Sequence, residues 1–261
     1  MKINLYSAAS VLALTLAVAT PALAQAQSDQ SQRTIDEIVV TAQKREQSLQ
    51  DVPVVVTSVN AQQLQDAGVR DIKDLTIVAP GLTVTSTSSS AVTTARIRGI
   101  GTVGDNPGLE SSVGVVIDGV YRPRNGVAFT DLGDLERIEV LKGPQGTLFG
   151  KNTTAGVINI ITSRPQFAFH ANSEATASNL NGFGAGLSLT GPIAEDLVAG
   201  RIYLAGRARD GYYKSAVGFP GTNDQDFYTG RLQLLFTPTK TVDVNVAADY
   251  TKRNERCCGA V

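Results

Sequence analysis

Two-residue alternation over the last third of the chain constrains its fold more than any other feature. Val242, Val244, Val246, Ala248 and Tyr250 form an apolar row, while Thr241, Asp243, Asn245, Ala247, Asp249 and Thr251 point the other way. Tyr228, Gly230, Leu232, Leu234 and Phe236 oppose Arg231 and Gln233, and Ile202 and Leu204 oppose Arg201, Arg207 and Arg209. Phe183, Ala185, Leu187 and Leu189, with a weaker segment from Phe169 to Ala177, complete five expected strands. Such strands separate an apolar face from a wet one, as transmembrane barrel strands do. The connections Asn179–Gly182, Gly191–Asp196 and Thr237–Lys240 are short, whereas Gly211–Asp226 is long. Short turns on one side of a membrane and longer loops on the other suit a barrel, although the alternation here is imperfect. A soluble β-sandwich is the competing reading. Against it stand Arg201, Arg207 and Arg209 on one strand face, which ask for a wet lumen, and the continuously apolar opposite faces.

No run after the first thirty residues approaches the ~20 consecutive apolar residues of a spanning helix, so membrane residence requires strands. With Lys+Arg 23 against Asp+Glu 24, the net charge of -1 offers no basic field for nucleic acid. Residues 1–24 read as an export signal: Lys2 is the positive start, Val11–Ala19 the short apolar run, and Pro21-Ala22-Leu23-Ala24 the small-x-small cleavage site. Residues 25–50 are expected to be a flexible periplasmic segment, opening with the polar tract Gln25–Arg33. Within it, Asp36, Glu37, Ile38, Val39, Val40, Thr41 and Ala42 combine an acidic start with a burst of strand formers. That pattern suits strand addition to a partner's sheet edge; the plainer alternative is the first strand of the following domain. Cys257 and Cys258 are neighbours, with Cα atoms ~3.8 Å apart where disulfides prefer ~4.4–6.8 Å. A strained vicinal bridge and partners elsewhere both remain open, and two ligands are too few for a metal.

Val52–Ser163 reads as a compact α+β unit. Strands are expected at Val52–Thr57, Leu82–Thr85, Ala95–Arg98 and Val113–Asp118, with Asn60 and Asp71 capping short helices. The stretch Glu136–Thr162 follows a strand, a glycine-punctuated turn and a second strand. Gly99-Ile100-Gly101-Thr102-Val103-Gly104 matches a dinucleotide fingerprint, but Asp105-Asn106-Pro107-Gly108 forbids the helix that must follow it. Gly146–Lys151 resembles a phosphate-binding loop with one residue too few and Asn152 in place of Ser or Thr. The single histidine, His170, falls in the first alternating strand without a nucleophile beside it, so no enzyme is expected. No cofactor or metal site is expected either.

Taken together, these residues resemble the TonB-dependent outer-membrane receptors. Asp36–Ala42 resembles that family's TonB box. Arg96-Ile97-Arg98-Gly99, Val116-Ile117-Asp118-Gly119-Val120 and Glu136–Thr162 resemble its plug. The resemblance implies an α+β plug domain over residues 51–165 and, over 166–261, the first antiparallel strands of a transmembrane barrel. It further implies active import of a scarce ligand such as an iron–siderophore complex, energised by TonB and its inner-membrane partners. The location implied is the outer membrane of a Gram-negative bacterium, with the N-terminal segment in the periplasm. Gly99, Gly119, Gly143, Gly146, Gly150 and Gly156 are expected as plug turn glycines. Arg98, Arg137 and Glu139 are expected to make ionic contacts from plug to barrel wall, because buried charges need partners. Plugged transporters have ~22 strands, and five cannot close, so the sequence is expected to be a fragment. The competing function is a non-transporting secreted or periplasmic plug that binds ligand or TonB. The loops Ser86–Thr94, Thr102–Ser112 and Arg122–Thr130 are expected to face outward, with no ligand legible in them.

Overall fold

In a computed structural model, residues 38–69, 71–86, 93–102, 109–123, 134–213 and 221–256 are described. The export signal, Asp36, Glu37, much of the three outer loops, and Cys257-Cys258 lie outside them. The chain enters through a small antiparallel hairpin, β1 (Val39–Val40) with β2 (Gln47–Ser48). A mixed sheet follows, the frame sheet, built from β3 (Val55–Asn60), β6 (Val113–Ile117), β7 (Val120–Arg122), β8 (Leu135–Lys142) and β9 (Gly156–Thr162). Its order is β3-β8-β9-β6-β7, with β6 and β9 parallel and the other neighbours antiparallel. The ribbon β4 (Leu82–Ser86) with β5 (Thr93–Ile97) and the short helices α1 (Ala61–Asp66), α2 (Leu75–Val78) and α3 (Gly146–Phe149) complete this half.

Local signals explain most boundaries. The first frame strand starts at Val55 instead of Val52, because Pro53 has no N–H to donate to a ladder. Asn60 and Asp71 both close capping boxes, with Gln63 and Asp74 respectively. The ribbon strand ends at Ile97 and not at Arg98, since Arg98 (φ 53°) and Gly99 (φ 78°) turn the chain. Asp118-Gly119, both at positive φ (48° and 81°), make the two-residue turn that returns β6 into β7.

The central strand β9 is buried on both faces and reads as a near-continuous apolar run, whereas its neighbour β8 alternates apolar residues with Glu136, Arg137 and Glu139. On one face Val59, Leu64, Ile72, Leu75, Ile97, Ile138, Val140 and Ile158 pack beneath α1, α2 and the ribbon. On the other, Val116, Leu141 and Val157 pack with Val40, Ala42 and Val52 from the N-terminal segment. Gly156 opens β9 where a Cβ would lie 2.3 Å from the Leu141 carbonyl oxygen, so no larger residue fits there without a shift.

The second half is a five-stranded antiparallel meander, the wall sheet: β10 (His170–Ser178), β11 (Gly182–Ala194), β12 (Val198–Arg209), β13 (Gln225–Thr239) and β14 (Val242–Arg253). At 9 to 15 residues the strands reach or exceed the ~9–11 residues a tilted strand needs to cross a bilayer. Register aligns Leu187 with Leu204, Leu189 with Ile202, Ile202 with Leu232, and Leu234 with Val246. One face is therefore a continuous exposed apolar surface that also carries Phe183, Tyr228, Phe236 and Tyr250. Among the described residues no helix is long and apolar enough to cross a membrane.

Candidate functional site

Two junctions converge on the frame sheet: a seat for the N-terminal segment and a seam to the wall. At the seat, strand alternation turns Glu139 of β8 and Asn159 of β9 toward the face that Ile38–Ala42 covers. The Glu139 carboxylate is fully buried and accepts from the Thr41 N–H (2.7 Å), the Thr41 hydroxyl (3.1 Å), Asn159 Nδ2 (3.1 Å) and Arg137 Nε (2.9 Å). Asn159 Nδ2 also donates to the Thr41 hydroxyl oxygen at 3.2 Å. Val40 and Ala42 flank Thr41 and are buried, while Ile38 and Val39 are exposed. Residues 25–50 are expected to be flexible. Among them, Ile38–Ala42 packs on Leu141 and Val157.

At the seam, carboxylates and guanidinium groups pair between the frame and the wall. Arg201 of β12 donates through Nε and Nη2 to both carboxylate oxygens of Asp134, which also accepts from the Ser188 hydroxyl at 2.8 Å. Asp118, projected by its hairpin turn, accepts from the Thr162 N–H and hydroxyl (both 2.8 Å) and from Arg231 of β13. Gln233 Nε2 donates to the Thr162 hydroxyl oxygen at 3.0 Å. Farther out, Arg122 donates to Asp249 at 2.9 Å, and Arg253 approaches Asp71 at 3.7 Å. Burial pushes the Asp71 carboxyl above the usual carboxylate range; Arg253 and then Lys73 oppose that shift. A cavity of 440 Å³ lies between the two junctions, bordered by Thr41, Lys44, Arg137, Arg164, Gln233 and Asp243.

Of the residues expected to hold plug to wall, Arg137 pairs with its neighbours Glu136 and Glu139, which places Arg137 and Glu139 at the seat. Arg98 is exposed in a turn, and burial and then the Arg98 charge lower the pKa of the Lys142 ammonium. The seam residues are Asp134, Asp118, Arg122 and Asp71, and the signals that could have found them are modest. An Asp-Gly hairpin turn aims an acid outward, and three arginines on one wall strand ask for acids opposite. Those arginines differ in their partners. Arg201 is buried against Asp134, Arg207 donates to Glu174 at 2.8 Å, and Arg209 donates to the Asn223 carbonyl at 2.9 Å.

Of the expected turn glycines, Gly99, Gly119, Gly143 and Gly150 sit at positive φ in turns. Gly146 instead opens α3, and Gly156 opens β9. Gly146–Phe149 is one helical turn, and Asp118 is spent on Thr162 and Arg231, so neither nucleotide motif finds its context. Among the described residues no three His, Cys, Asp or Glu side chains gather as a metal site.

Residues 48–157 match the family described as TonB-dependent Receptor Plug Domain. The pesticin receptor of Yersinia pestis is 34% identical over 194 residues, which are 73% of this chain and 28% of that protein. The vitamin B12 transporter BtuB of Vibrio vulnificus is 30% identical over 162 residues, 60% of this chain and 24% of that protein. Among solved structures, the ferric yersiniabactin uptake receptor FyuA from Yersinia pestis superposes with a TM-score of 0.70 at 29% identity, covering 76% of this chain and 31% of that one. The chain thus spans less than a third of the length of these relatives.

Proposed function

We propose, for a chain that belongs to the TonB-dependent receptors and carries their plug domain with part of a barrel wall, that it serves ligand-gated import across the outer membrane of a Gram-negative bacterium. Residues 51–165 are the plug in this reading and 166–261 the start of the barrel. Asp36–Ala42 is the TonB box, delivered to the periplasm behind a cleaved signal at 1–24. The observation that carries the reading is the seating of Ile38–Ala42: a β-prone strand held on the plug by two apolar side chains and one buried carboxylate. Such a strand can leave its seat and add to a partner's sheet edge through its main chain. The exposed apolar face of the wall sheet supports contact with lipid.

The ligand we propose is a ferric siderophore complex, the cargo class of the yersiniabactin uptake receptor that this chain resembles. Deleting Asp36–Ala42 from the receptor should abolish both uptake and binding of the TonB periplasmic domain while leaving ligand capture at the surface intact. Uptake that survives the deletion overturns the assignment. Growth of a strain lacking the gene on a panel of ferric siderophores, cobalamin and haem tests the ligand. Unimpaired growth on every siderophore in the panel rejects that class.

A further inference from the structure

Among the described residues, Glu139 stands apart from the other carboxylates. It has no solvent exposure, and two of its four donors belong to a segment that can leave. The other two, Asn159 and Arg137, stay with the frame. One edge of the segment is already paired, because Val39 and Val40 align with Ser48 and Gln47 of β2. The Thr41 N–H, which strand addition would draw on, is given to Glu139. We propose that Glu139 is a positioning residue that latches Ile38–Ala42 to the plug, and that breaking its bonds to Thr41 is what frees the segment for a partner's sheet edge. The proposal rests on the reading of that segment as the partner-binding strand.

The chemistry of the latch explains why an acid occupies this position. Apolar contact through Val40 and Ala42 holds the segment by area and tolerates sliding. A carboxylate that takes both the amide and the hydroxyl of one threonine fixes a single register. When the segment leaves, a buried anion loses half of its donors, an outcome that favours return to the seat. The latch therefore opposes spontaneous release and resets after each excursion.

Amide hydrogen exchange of the whole chain in detergent micelles tests the latch, with affinity for the TonB periplasmic domain measured in parallel. Glu139→Gln should raise exchange at Thr41 about tenfold and leave Val157 and Ile158, deep in β9, unchanged. The milder Thr41→Val keeps the buried acid and the fold, and should raise exchange at position 41 about threefold. If Glu139→Gln loosens the whole sheet, the Thr41→Val result decides alone. Exchange at position 41 that stays at the wild-type rate in Thr41→Val overturns the latch. Faster exchange together with tighter TonB binding supports both latch and partner. Faster exchange with unchanged TonB affinity supports the latch and rejects the partner reading on which it was built.

Discussion

The seat and the seam use the same kind of group, a carboxylate with several donors, to opposite ends. The seam distributes its grip over wall strands β12, β13 and β14, through Arg201, Arg231, Asp249 and Arg253. The seat concentrates its grip on one carboxylate, one threonine and two small apolar side chains. Losing one contact of a distributed junction leaves the rest in register, whereas losing the Glu139–Thr41 contact leaves Val40, Ala42 and the single Asn159–Thr41 bond. The plug is thus fastened to the wall at several points and to its own N-terminus at one. The proposed release of Ile38–Ala42 would draw on that asymmetry.

The largest expected effect comes from the centre of the seam. Arg201→Ala leaves Asp134 buried beside Ser188 without its guanidinium, and breaking a buried pair in this way costs about 3–5 kcal/mol. Urea unfolding in micelles should show that loss, with exchange at Thr41 unchanged because the seat shares no residue with the pair. A parallel rise at Thr41 would merge the two junctions into one and break the comparison. Val40→Ala probes the opposite side. Removing two buried methyl groups costs about 1–2 kcal/mol and should free the segment, leaving protection at Leu135 and Thr162 along the seam intact.

Legibility in the sequence followed the range of the interaction. The wall strands are plain in the sequence because an exposed apolar face and an opposite polar one write a period of two into every strand. The Asn60 and Asp71 caps were plain because their partners lie three residues away. The seam was not, since Asp134 and Arg201 lie 67 residues apart and nothing local marks either as the other's partner. Arg137 and Glu139 are legible as charges needing partners, but the sequence does not say that Thr41 is one of them. Thr41 lies 98 residues before Glu139, and a strand's alternation does not say which face an incoming segment will cover.

Acid separates the seam's rim from its centre. Burial raises the Asp71 carboxyl above its value in the unfolded chain, and Arg253 offsets only part of that. A raised folded-state value means the folded protein holds the proton more tightly. The contribution is therefore fully present below the unfolded-state value and is lost as pH rises through the folded-state one. Asp71→Asn keeps a cap for the Lys73 N–H and removes the titration. Urea midpoints taken from neutral to acid pH should show wild type gaining on the variant as pH falls. A gap that is constant across that range would show that Asp71 does not titrate in the transition.

The smallest effect should come from Arg122 and Asp249, the same chemistry as Arg201 and Asp134 at a wetter place. Their side chains are 29% and 44% exposed, against 7% and 11% for the buried pair. Water screens the attraction, and holding two long side chains in one geometry costs entropy, so such pairs contribute about 0–1 kcal/mol. Arg122→Ala should shift the urea midpoint within that range, and 1 M salt should erase the shift, because the Debye length there is only about 3 Å. Arg231, 3.9 Å from Asp249, remains to hold the acid. A loss comparable to that of Arg201→Ala would mean the rim is as dry as the centre, and the seam would then depend on every pair instead of its innermost one.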